Sequence, residues 1–243
     1  MGRSPCQWQA PAELSGANFN AAAPHVGLDP QGDATVVWSA SEGGGDAVIQ
    51  AVVKPAGGAW QVPSDIAETS EKASNQIESD VAVDREGNAV AVWEADVGGN
   101  GVIQAARRSN ATESWQTPVD LSETASQASD PKIKLDSRGN AVAVWEQDEG
   151  SLGTVQAAGY DAGPLLNGQS IPSTGTVGQP LSFAASPMGV WSTLGETTWS
   201  FGDGRGESGQ SVAHTYAAPG DYTVTLSSVD AFSGGRGVPR VVR

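Results

Sequence analysis

Thr198-Trp199-Ser200-Phe201-Gly202-Asp203-Gly204 decides how the C-terminal third of this chain is read. In an extended chain successive side chains alternate between faces, so Trp199 and Phe201 share one face and Ser200 takes the other. Two aromatics on one side with a hydroxyl between them fit a strand buried on one face only. Gly202-Asp203-Gly204 ends that strand, because glycines accept turn conformations and Asp accepts amide hydrogen bonds within a turn. Downstream, Tyr222-Thr223-Val224-Thr225-Leu226 repeats the alternation, with Tyr222, Val224 and Leu226 as the facing apolar row and the threonines outward. Upstream, Gly175-Thr176-Val177-Gly178-Gln179-Pro180 forms a turn leading into the alternating Leu181-Ser182-Phe183-Ala184-Ala185. Short alternating strands joined by such turns predict a two-sheet β-sandwich.

Between these strands lies His214-Thr215-Tyr216, followed by Pro219-Gly220-Asp221. The combined pattern resembles the immunoglobulin-like polycystic kidney disease (PKD) domain, which carries Trp-Asp-Phe-Gly-Asp-Gly, then His-Thr-Tyr, then Gly-x-Tyr-x-Val-x-Leu. The resemblance spans residues 164–243, and the domain boundary falls at the linker Asp161-Ala162-Gly163-Pro164, giving domains at 1–160 and 161–243. Ser200 stands where the family usually has Asp, which removes an acidic surface group and leaves the strand pattern intact. The resemblance implies structural roles for Trp199, Phe201, Gly202, Asp203, Gly204, His214, Tyr216 and Tyr222, with His214 hydrogen-bonded near the Gly-Asp-Gly turn. It also implies a spacer or interaction module.

The N-terminal two-thirds carry a threefold repeat. Val26-Gly27-Leu28-Asp29-Pro30-Gln31-Gly32-Asp33-Ala34-Thr35-Val36-Val37-Trp38 returns as Val81 to Trp93 and again as Ile133 to Trp145. Two further elements recur in step. One is Ile49-Gln50-Ala51, Ile103-Gln104-Ala105 and Val155-Gln156-Ala157; the other is Trp8-Gln9-Ala10-Pro11, Trp60-Gln61-Val62-Pro63 and Trp115-Gln116-Thr117-Pro118. Each period predicts four short antiparallel strands, the size of a β-propeller blade. The Asp-x-x-Gly turns at Asp29, Asp84 and Asp136 predict hairpin closure through amide hydrogen bonds to the Asp, with Gly at positive φ. Trp38, Trp93 and Trp145 are predicted core anchors, each costing about 3–5 kcal/mol on truncation to Ala if buried. Trp60 and Trp115, nearer the loops, are the candidate binding residues, since exposed indoles can stack on sugar faces.

The third period lacks a Trp-x-x-Pro strand after Tyr160, while the first opens with an extra one at Trp8. Three arrangements fit that phase: a fragment of a longer propeller, two chains pooling their blades as a homo-oligomer, or a compact threefold array. The repeats resemble those that precede PKD domains in large secreted bacterial proteins. They are also similar to the Asp-box of sialidase-like propellers, although Asp-boxes place Gly two residues after Asp and here it is three. Sialidase chemistry is disfavoured by the scarcity of Arg and Tyr in the repeats.

Composition bounds the function. The chain has 243 residues with 31 Gly and 14 Pro, a mix that suits strands and turns and predicts an all-β protein. Its formal charge of −15 disfavours nucleic acid and anionic membrane as partners. No apolar stretch is long enough for membrane insertion, and no export signal is visible in the first residues. One cysteine, Cys6, and two histidines, His214 and His25 (the latter placed in a loop before a strand), supply neither a zinc cluster nor a Cys/His dyad. Glu94 and Glu146 follow repeated Trp residues but read as exposed strand ends. No catalytic residue, metal or cofactor is called for. The expectation is a non-catalytic extracellular or cell-surface module that binds protein or carbohydrate, through loops such as Glu42 to Asp46 and Val97 to Gly101. The competing expectation is an accessory region of a secreted hydrolase whose catalytic domain lies elsewhere.

Overall fold

A computed structural model describes residues 8–42, 47–68, 78–150, 152–231 and 234–242, the last of these and Glu68 in backbone only. Every regular element among them is a β-strand, and no helix long and apolar enough to cross a membrane occurs among them. The chain divides into two compact units, Met1–Ser137 with Val142–Ala158, and Arg138–Ala141 with Gly159–Arg243.

The first unit contains three antiparallel sheets in sequence order. Sheet one orders β1 (Phe19–Leu28), β2 (Ala34–Glu42), β3 (Ala47–Lys54) and β4 (Ser64–Glu68) side by side. Sheet two runs β5 (Ser79–Val83), β6 (Ala89–Val97), β7 (Asn100–Ser109) and β8 (Ser114–Trp115), with β9 (Val119–Asp120) also paired to β7. Sheet three has β10 (Ala128–Leu135), β11 (Ala141–Asp148) and β12 (Gly153–Tyr160). The first strands of the three sheets are neighbours: β1 packs beside β5, and β5 beside β10, which also meets β6 and β7. Among the described residues no sheet closes on itself.

Burial explains why these segments become strands. Ala89, Ala91 and Trp93 on one face of β6 join Val37, Ile49 and Ala51 of sheet one in a single core, and Val90 and Val92 on the other face are buried as well. A strand covered on both faces reads as a continuous apolar run, as this one does. The Trp-Gln-x-Pro elements differ from a simple strand. Trp60 and Gln61 lie outside any strand, the Gln61 N–H donating to the Val53 carbonyl at 2.9 Å, and pairing resumes at Ser64. Pro63 has no N–H to give a ladder, so the strand restarts after it. In the next repeat the same interruption separates β8 from β9 around Pro118. His25 lies within β1, not in a loop: a register shift between Ala22 and His25, with Ala23 at φ 48°, lets the strand continue past Pro24.

The second unit is a two-sheet sandwich. One sheet orders β13 (Leu165–Ser170), β14 (Leu181–Met188) and β17 (Ser211–His214); the other orders β16 (Gly206–Ser208), β15 (Leu194–Ser200), β18 (Tyr222–Asp230) and β19 (Gly234–Val242). Phe183 and Ala185 from the first sheet share a core with Trp199, Val224 and Leu226 from the second, together with Phe201 and Tyr216. Ser200 is exposed between the two buried aromatics.

Candidate functional site

Each repeat begins with the same turn. The Asp29 carboxylate accepts the Gln31 and Asp33 amides, both at 2.9 Å, and Asp84 accepts those of Glu86 at 2.8 Å and Asn88 at 2.9 Å. Gly32, Gly87 and Gly139 sit at φ 92°, 80° and 87°, the left-handed region that follows a type I turn. Asp84 is buried and also holds the Asn88 side chain at 2.9 Å. These carboxylates are spent on their own loops. No group of three or more metal-ligating side chains forms among the described residues.

The turns of Asp29, Asp84 and Asp136 converge. Leu28, Pro30, Val83, Arg85, Leu135 and Ser137 join them around one shallow, open depression of about 350 Å³ at that end of the first unit. Leu28 is exposed there, and exposed Arg85 adds a cation to the lining. At the opposite hairpin ends, Val97-Gly98-Gly99-Asn100 is a tight connection in which Val97 pairs with Asn100 and the Gly99 amide bonds Asp96 at 2.8 Å. The Gly43 to Asp46 part of the first such loop lies outside the described residues.

A hydrogen-bond relay ties the buried tryptophans to the sheet edge. Trp38 Nε1 donates to Gln50 Oε1 at 3.1 Å, and Gln50 Nε2 donates to Asp65 at 2.9 Å. The next repeat reproduces it from Trp93 to Gln104 at 3.2 Å and on to Asp120 at 2.8 Å. Gln50 pairs with Asp65, and Gln104 with Asp120, in strand register. In the third repeat Trp145 turns instead to Gln147 at 3.2 Å, whose amide bonds Ser126 and the Gln127 carbonyl. The Ile-Gln-Ala recurrence marked these glutamines in the sequence, but their partnership with Trp and Asp needed the register to be visible.

Trp60 is half-buried against Trp38, Ala40 and Val52, and Trp115 is half-buried against the core that contains Trp93. The structure therefore gives both indoles packing roles and leaves each partly accessible. Glu94 lies beside Asp130, Glu78 and Asp96; burial and then the charges of Asp130, Glu78 and Asp96 push its carboxyl up, against the Gln127 hydrogen bond. Glu146 is exposed.

In the second unit the motif residues form one knot. His214 Nε2 lies 2.9 Å from Asp203 Oδ2, and its ring stacks on Phe201 at 4.0 Å between centroids. Tyr216 meets His214 edge-on at 4.6 Å, stacks on Tyr222 at 4.1 Å and donates to the Phe201 carbonyl at 3.1 Å. Trp199 Nε1 donates to the Gly209 carbonyl at 2.9 Å. Slight burial works against the Asp203 charge, but the Arg205 amide and His214 outweigh it and hold the carboxyl below its usual value. Burial, then the Asp203 charge, pushes the Tyr216 hydroxyl up to about 12, so it stays a donor at any ordinary pH. The knot locks a turn, and its polar atoms face one another. Asp161, in the segment read as a linker, is itself buried and caps a loop by accepting the Trp191 amide at 3.0 Å and the Ser192 hydroxyl at 3.2 Å.

The class of the second unit is thus a two-sheet sandwich with an aromatic core closed by a Gly-Asp-Gly turn. Residues 162–238 match the PKD domain family, so this unit is a PKD domain. Domains of that family are typically extracellular, non-catalytic modules of adhesion or accessory type. No curated protein matches the chain. Among solved structures it is similar to a protein of unknown function from Dyadobacter fermentans DSM 18053, at 8% identity and a TM-score of 0.32, over 93% of this chain and 96% of that one. A likeness at that level carries no argument about this chain.

Proposed function

We propose that the protein is a non-catalytic extracellular module, in which the PKD domain acts as a spacer and the three-sheet unit is the recognition surface for a protein or glycan. The PKD match at residues 162–238 is the observation that carries this reading. The three sheets are best described as consecutive propeller-like blades: their first strands are neighbours, and their Asp-x-x-Gly turns gather at one end. The depression there, with exposed Leu28 and the Arg85 cation, is the binding surface, because recognition residues concentrate on loops held by a rigid scaffold. Trp60 and Trp115 pack against the cores outside this depression and are not its contact residues.

The test is binding of the full chain to an array of glycans and extracellular matrix proteins. Retention on at least one class is expected. Arg85→Glu and Ser137→Trp, which reverse the charge and fill the depression, should abolish it without changing the melting temperature. Absence of any retention sinks the recognition half, and turnover of an arrayed glycan or protein sinks the non-catalytic half.

A further inference from the structure

Most tryptophans of this chain are buried or half-buried, but Trp191 of the second unit is 51% exposed. It lies in the loop of residues 189–193, between β14 and β15. That loop is held from within. The buried Asp161 carboxylate gives one oxygen to it, accepting the Trp191 amide at 3.0 Å and the Ser192 hydroxyl at 3.2 Å. Its other oxygen accepts the Gly163 amide at 3.1 Å. At the start of the loop a Cβ on Gly189 would overlap the Ser192 carbonyl oxygen, so the chain folds back more closely than a residue with a side chain allows.

The indole itself is seated on one side only. A Cβ built on Gly159 would meet Trp191 Cδ2 at 3.0 Å, Cγ at 3.2 Å and Cε2 at 3.4 Å. Cδ2 and Cε2 are the ring-fusion carbons, and Cγ adjoins them in the smaller ring. A point beside the ring would meet its rim first, so the Gly159 backbone lies against the ring face. Gly159 belongs to the same compact unit as Trp191 and has no side chain to prop the ring away. With one face on backbone and half of the residue exposed, the opposite face is the one open to solvent. Asp161, Gly189 and Gly159 together hold the loop so that it presents one indole face outward.

An indole face carries the negative side of the ring quadrupole, so it attracts polarised C–H groups as well as burying apolar area. The C–H face of a pyranose ring offers both, is nearly flat, and matches one indole in size. A protein partner needs more, since a stable interface covers about 800 Å² on each side around an apolar centre. The exposed residues that follow Trp191, which are Thr193, Gly195 and Glu196, are small or polar and suit a ligand rich in hydroxyls. The formal charge of −15 repels uronate and sulfated chains. We propose that Trp191 is a stacking platform for a neutral pyranose of a polysaccharide, so that the PKD domain carries a glycan site of its own beyond the spacer role. The site belongs to the second unit and does not rest on the reading of the turn-end depression in the first.

Isothermal titration of the full chain with cellohexaose, chitohexaose, mannohexaose and hexagalacturonate tests it. Binding of at least one neutral hexasaccharide is expected, and hexagalacturonate should give no heat. Trp191→Ala should weaken that binding by about tenfold or more while the cooperative melt is kept, and Trp191→Phe, which retains an aromatic face, should lose only about threefold. Gly159→Ala keeps the indole but sets a methyl against its seated face. Gly159 is outside the left-handed region, so this variant probes the ring orientation and should weaken binding several-fold. Arg85→Glu should leave hexasaccharide binding at this site unchanged. The proposal is overturned by no heat with any neutral hexasaccharide, by equal affinity of wild type and Trp191→Ala, or by a preference for hexagalacturonate. It is overturned as well if Trp191→Ala loses retention on an extracellular matrix protein while no hexasaccharide binds, which would make the indole a protein contact. Glycan binding lost in Arg85→Glu and kept in Trp191→Ala would sink this site and leave the turn-end reading standing, so the two fail separately.

Discussion

Glu94 shows how one residue links burial to pH. Its neighbours Asp130, Glu78 and Asp96 are acids, and burial alone already favours the neutral form. The unfolded chain releases this proton near the ordinary glutamate value of 4.5, and the folded chain holds it to higher pH. A raised folded value contributes stability that is complete below the unfolded value and is lost as pH rises through the folded one. Thermal melts of the wild type should therefore show stability falling as pH climbs above about 4.5, and Glu94→Gln should remove that slope and raise the melting temperature at neutral pH. Parallel pH profiles for the two proteins would refute this account. Trp93 makes the complementary case for packing. It is fully buried in the core shared by sheets one and two, so Trp93→Ala should cost about 3–5 kcal/mol in urea unfolding. Trp60→Ala, in the smaller cluster and half-buried, should cost less than half as much. An equal loss at both positions would mean that the clusters are not distinct.

At the scale of elements, the turns carry the sharpest expectations. Gly202 ends β15 at φ 78°, and a Cβ there would lie 2.7 Å from the Thr223 carbonyl oxygen and 2.9 Å from its nitrogen. Gly204, two residues on, has φ 86° but open space around it. Gly204→Ala should thus cost only the left-handed penalty of about 1–2 kcal/mol, whereas Gly202→Ala adds a backbone collision and should cost at least about 2 kcal/mol more. Chemical denaturation of the two variants decides the matter, and equal losses would show that the close approach to Thr223 is relaxed by a backbone shift. The same contrast indicates what a sequence can display. Gly-Asp-Gly and Asp-x-x-Gly were legible because turn chemistry is local, depending on residues two to four apart. The strand alternation around Trp199 and Trp93 was legible because burial has the period of the pleat. The relay from Trp93 through Gln104 to Asp120 was not, since it depends on register across three strands. Trp145 choosing Gln147 over Gln156 is a different case, a partner two residues along the same strand taken in place of the cross-strand one, and no local pattern ranks the two. The placement of His25 inside a strand was hidden as well, since it rests on a bulge at Ala23 that no local preference announces. The turn-end depression joins residues from three repeats and had no local signal either.

At the scale of the whole molecule, charge and apolar burial act in opposition. The chain carries a formal −15, and like charges spread over a folded surface repel one another. The cores around Trp93 and Trp199 gain from leaving water whatever the ionic strength. Salt shortens the screening length from about 30 Å at 0.01 M to about 8 Å at 0.15 M, which weakens the repulsion and leaves the apolar contacts unchanged. The melting temperature should therefore rise as salt is raised across that range, when followed by circular dichroism at fixed pH. A fold held mainly by ion pairs would respond in the opposite sense, so a melting temperature that fell with salt would exclude apolar burial as the dominant source of stability in this acidic chain.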